Sequence, residues 1–239
     1  MSGDGSRRRA EIHHEHRDVS GGWLRPSVFG VMDGLVSNFA LIAGVAGGTG
    51  DTDVIVLAGM AGLAAGAFSM AGGEYVSVAS QRELALAEID VERRELQRHP
   101  RAEQEELARM YEAQGVEPEL AAEVARQISR DPGTALEVHA RAELGVVPGD
   151  LPSPWLAAGS SFASFTVGAA LPLVPYLLGI AGLAASALLS CASLFGAGVL
   201  VSLVTARSWW YSGLRQLAVG GGAAALTYGL GSLVGGAAL

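Results

Sequence analysis

VIVLAGMAGLAAGAFSMAGGEYVSVASQRELALAEIDVERRELQR, residues 54–98, is the stretch whose reading decides the fold. Up to residue 80 it is mostly apolar and Glu74 is its one charged residue, and about 20 mostly apolar residues are enough to cross a bilayer core as a helix. From Gln81 onward it is densely charged, yet no Gly or Pro interrupts it before His99-Pro100. Pro is a strong helix terminator and its absence lets the helix run on. The reading is one helix that crosses a membrane and continues into water.

The rest of the chain follows the same division. Half of its 239 residues are hydrophobic, 33 are Gly, and 17% are charged, against about a quarter in soluble domains. Residues 81–150 hold 25 of the 40 charges, and the last 89 residues hold only Arg207 and Arg215. That split excludes a single soluble domain and a disordered chain. It predicts an all-α polytopic membrane protein with five transmembrane helices and a helical polar domain inserted between the second and third. The expected units are an N-terminal tail 1–25, transmembrane helices in 26–80, the polar domain 81–150, and three further transmembrane helices in 151–239.

Apolar runs place the spans near 27–48, 54–80, 155–178, 181–205 and 214–238, with Arg207-Ser-Trp-Trp-Tyr as an interfacial anchor. With the N-terminus cytoplasmic, all 16 Arg fall on one side: Arg7, Arg8, Arg9, Arg17 and Arg25, nine in 81–150, and Arg207 and Arg215. The positive-inside rule therefore puts the tail and the 81–150 domain in the cytoplasm and the C-terminus outside. The first 25 residues lack an apolar core, so no cleavable signal peptide is expected. A net charge of −8 argues against a nucleic-acid partner. The lone Cys191 excludes a disulfide framework.

Polar groups inside the spans are costly and point to function. Asp33 and Asn38 lie in the first span, and Glu74 follows Met70 by four residues in the second, on one helix face. A thioether beside a carboxylate suits a transition metal better than Ca²⁺ or Mg²⁺. The alternative for Asp33 and Glu74 is simple access to water near the membrane ends. Gly30/Gly34, Gly44/Gly48 and Gly62/Gly66 have the spacing of close helix contacts, within one subunit or between two. Pro172 and Pro175 must break the third span.

In 81–150 the acids Glu92 and Glu95, and Glu103 and Glu106, pair at i, i+3 on common helix faces. A turn at Pro100 would fold the two helices together, and His139 and Glu143, at i, i+4, would complete a metal site from a later helix. The alternative is a solvated acidic surface laced with Glu–Arg pairs. His13-His14-Glu15-His16 in the tail offers a further, weak metal site.

Three motifs then form a set. GWLRPSVFGVMDGLVSNF (22–39), followed by ALIAGV, resembles the first span of the vacuolar iron transporter family; MAGGEYVSVASQR (70–82) resembles the end of its second span, and LPLVPY (171–176) its third-span motif. The resemblance implies a bacterial-type homodimeric transporter carrying Fe²⁺ or Mn²⁺ (Zn²⁺ possible) out of the cytoplasm in exchange for protons, in the cell membrane, with no tightly bound cofactor. It implies a path through Asp33 and Met70, and cytoplasmic metal ligands at Glu92, Glu95, Glu103, Glu106 and Glu143. One departure follows: where the family carries two Met one turn before the last carboxylate, this chain has His139 and Ala140. The alternatives are a membrane-anchored di-iron carboxylate oxidase and a non-transporting metal sensor. The oxidase needs Glu-x-x-His pairs, and 81–150 has none.

Overall fold

The computed structural model describes residues 22–180, 182–205 and 207–237. The His13–His16 stretch lies outside the described residues. No strand occurs among those described, and five helical stretches are long and apolar enough to cross a membrane.

Helix α1 (Leu24–Gly48) is the hub, packed on α6, α9, α2 and α8. Its glycines explain how. A Cβ on Gly34 would collide with the Phe165 carbonyl of α6 (Pro154–Ala170), and one on Gly168 would collide with the carbonyl of Val31. Lower down, Gly44 and Gly48 meet Gly231 and Gly235 of α9 (Trp209–Ala237) just as closely. Small residues let backbones approach where lipid supplies no hydrophobic drive for helices to associate. The Gly spacings therefore serve packing within the subunit. Leu35, Phe39 and Ala43 bury against Leu194 of α8 (Leu183–Thr205) and Ala224 of α9.

Helix α2 (Thr52–Arg98) begins at Asp51, whose carboxylate accepts from the Asp53 N–H at 2.9 Å. Its 47 residues span about 70 Å at a 1.5 Å rise per residue. A bilayer core is only about 30 Å thick, so the charged half, from Gln81 on, projects beyond it.

The third span breaks where Pro172 and Pro175 remove N–H donors: α6 passes through a 3₁₀ turn, Leu171–Leu173, into the short α7 (Val174–Leu177). Carbonyls around the break are buried and served by neighbouring helices. Asn38 Nδ2 donates to Ala169 O at 2.6 Å, and Ser186 Oγ to Pro172 O at 2.7 Å. Gly179, at φ 75°, turns the chain toward α8. The last span starts earlier than its apolar run suggests. Trp209, Trp210 and Tyr211 already form its first turn, closed by Ser212 N–H to Ser208 O at 3.1 Å.

Three short helices follow: α3 (Pro100–Ala113) and α5 (Pro132–His139) pack against the projecting part of α2, and α4 (Pro118–Ile128) packs on α3 and α5. Each opens on a Pro at its first position, where the missing N–H costs nothing. Leu107, Ala108 and Ala125 form a small core with Val138 packed on it. Arg82 ties α2 to the return segment by donating to the carbonyls of Leu151 and Pro152 at 3.1 and 3.3 Å.

Candidate metal centre

α5 does not stop cleanly. A π-helical turn, Ala140–Leu144, widens its end, and Gly145 closes it at φ 67°. Such single widened turns favour functional sites. Here the turn carries Glu143 back under His139, with Oε1 3.0 Å from Nδ1. Glu92 Oε1 of α2 lies 3.1 Å and Glu103 Oε2 of α3 lies 3.8 Å from the same nitrogen. One ligand atom from each of Glu92, Glu103, His139 and Glu143 falls within 4.8 Å of the other three. The His139 side chain is fully buried and that of Glu92 is 12% exposed.

A solvated acidic surface does not look like this. Burial and the neighbouring Glu143, Glu103 and Glu106 carboxylates raise the Glu92 pKa to about 7, with His139 opposing them. Burial and then Glu106 also raise Glu103. The exposed ion pairs lie elsewhere, at Asp90–Arg93, Glu123–Arg126 and Glu137–Arg141. Three carboxylates and an imidazole with mutual repulsion to relieve suit a divalent transition ion. His139 Nε2 and Glu92 Oε1 are buried without hydrogen bonds. Nδ1 lies among carboxylate oxygens, so it is the ring nitrogen that faces the cluster.

The structure thus joins the first member of each acid pair to His139 and Glu143. Glu95 stays outside this group, 3.7 Å from His99. Glu106 acts on it only through its charge. Of the two positions that depart from the family motif, His139 is in the cluster and Ala140 is buried with no donor to offer.

A second feature lies within the spans. A groove of about 330 Å³ runs between α1, α2 and α6, with Asp33, Asn38 and Met70 in its lining. Glu74, one turn beyond Met70, is half-buried and is not part of that lining. The groove adds Ser37, Leu41, Ser69 and Phe165, which the sequence reading missed, and Gly62 and Gly66, which it read only as close helix contacts. Ser37 follows Asp33 by four residues, and Gly62, Gly66 and Met70 are spaced by four, so helical period was the available signal.

Comparison with known proteins places the chain. A vacuolar iron transporter of Acanthamoeba castellanii is 40% identical over 163 residues, covering 67% of this chain and 58% of that protein. Vacuolar iron transporter 1 of Eucalyptus grandis is 29% identical over 233 residues, covering 95% of this chain and 92% of its own length. Vacuolar iron transporter 1 of Arabidopsis thaliana is 32% identical over 169 residues, covering 70% and 66%. These relatives are named as transporters, not enzymes. The family profile of the VIT family matches residues 24–232, which takes in all five spans and the polar helices between them, and the chain belongs to the VIT family.

Proposed function

We propose that this multi-pass membrane protein moves Fe²⁺ or Mn²⁺ out of the cytoplasm in exchange for protons. The observation that carries the reading is the pairing of two ligand sets on one helix: α2 bears Met70 in the membrane groove and Glu92 in the outer cluster. Relatives named vacuolar iron transporter support the same reading. Glu92, Glu103, His139 and Glu143, with Glu95 and Glu106 adding negative charge nearby, would collect ions at the entrance. Asp33, Met70 and Asn38 would pass them through the span, with Glu74 near the mouth. A carboxylate in a poorly solvated site exchanges a proton for a metal because both compete for the same oxygens.

The proposed orientation, with 81–150 cytoplasmic, rests on the one-sided Arg distribution, and the proposed location is the cell membrane. A homodimer is part of the proposal. The groove is open on one side, and an intramembrane carboxylate facing lipid is costly. A second copy closing the groove would remove that cost.

The test is ion uptake into proteoliposomes holding the full chain, with Fe²⁺ and Mn²⁺ compared under opposed pH gradients. The proposal expects uptake that is faster when protons can leave against the entering metal. Uptake indifferent to the sign of the gradient would remove proton exchange. Uptake no faster than in empty vesicles would remove transport.

A further inference from the structure

Asn38 is 2% exposed, and its two polar atoms fare differently. Nδ2 donates to Ala169 O at 2.6 Å, next to the break in the third span. Oδ1 is buried and accepts no hydrogen bond. Turning the amide over would set oxygen against the Ala169 carbonyl, so that bond fixes which atom points away from α6. The free oxygen faces Gly62, where a Cβ would stand 2.9 Å from it and 2.4 Å from Leu41 Cδ2. Both residues line the groove that holds Asp33 and Met70.

We infer that Asn38 Oδ1 is a metal-ligating oxygen of the transport path that sets ion preference, and that Gly62 is kept small to leave space for the ion beside it. The inference rests on the transport reading above. A buried amide oxygen without a donor lowers stability, and ligation supplies the missing partner. The oxygen is too enclosed for water to solvate, so it serves an ion that has shed water. Mg²⁺ gives up its waters reluctantly and is disfavoured in such a place. Carbonyl and carboxylate oxygens suit Mn²⁺, and a thioether suits softer ions. Asn38 thus balances Met70 within one site. Zn²⁺ is satisfied by four ligands, so loss of one oxygen penalises Mn²⁺ more than Zn²⁺.

The experiment compares Mn²⁺ with Zn²⁺ uptake by the full chain in proteoliposomes, for wild type, Asn38→Leu, Gly62→Ala and Gly72→Ala. Loss of an ion-facing oxygen should lower the Mn²⁺:Zn²⁺ ratio of Asn38→Leu by about tenfold. Gly62→Ala leaves the Asn38 side chain itself unchanged and sets a methyl beside Oδ1 once the flexible end of Leu41 yields, and its ratio should move the same way. A Cβ at Gly72 meets nothing within 4 Å, so Gly72→Ala should match wild type. If thermal melting in detergent shows that Asn38→Leu does not fold, Gly62→Ala decides. Ratios unchanged in the folded variants overturn the inference while wild-type uptake keeps the transport reading. A ratio shifted equally in Gly72→Ala also overturns it. Wild-type uptake no faster than in empty vesicles overturns both.

Discussion

Replacing His139 removes the only nitrogen from a set otherwise made of carboxylates. Imidazole favours Zn²⁺ and Fe²⁺ over Mn²⁺. In calorimetric titration of the full chain in detergent, His139→Ala should lower Zn²⁺ affinity more than Mn²⁺ affinity. Equal losses would mean that the ring only packs. The carboxylates make a separate prediction. Glu92 is held at about 7, so metal must displace its proton below that pH. Apparent affinity should fall about tenfold per pH unit from pH 7 to pH 6 for each proton displaced; a flat profile would exclude Glu92 as a ligand. The stability sign is the reverse. A carboxyl whose pKa is raised on folding contributes stability that is fully present below its unfolded pKa, 4.5, and lost as pH rises through about 7. The metal-free polar segment should therefore melt at lower temperature at pH 8 than at pH 5.5, and a divalent ion should restore it at pH 8.

At the scale of elements, the glycine contacts carry the prediction. A methyl at Gly168 meets only the backbone of Val31 and Leu35, and overpacking of this kind costs about 1–3 kcal/mol. Gly168→Ala should lower the melting temperature in detergent, whereas Gly72→Ala should leave it alone; equal melting would mean that α1 and α6 yield. These elements also show what the sequence could disclose. The apolar runs located each span to within a few residues, because hydropathy and helix length are local properties. The proline pair located the break, and Pro100 located the turn between α2 and α3. The i, i+3 rule named Glu92 with Glu95 and Glu103 with Glu106, but only one of each pair enters the cluster. Choosing between them depends on how α2, α3 and α5 rotate about their axes, which long-range packing decides. The π turn under His139 and the free oxygen of Asn38 leave no local signature at all.

For the whole molecule, five candidate spans and the one-sided Arg placement predict a topology. Reporter fusions at residue 51 and at the C-terminus should lie outside the cytoplasm, and fusions at residues 115 and 210 inside; a cytoplasmic C-terminus would reverse the assignment of the last span. With that orientation the acidic cluster faces the cytoplasm and the groove begins beyond it along α2. Transport then requires Asp33, the one carboxylate in the groove lining. The most direct measurement is Mn²⁺ uptake by wild type and Asp33→Asn in matched proteoliposomes, normalised to folded protein. The account predicts uptake by wild type and loss of nearly all of it in the variant, with melting temperature unchanged. Native uptake by folded Asp33→Asn would contradict it.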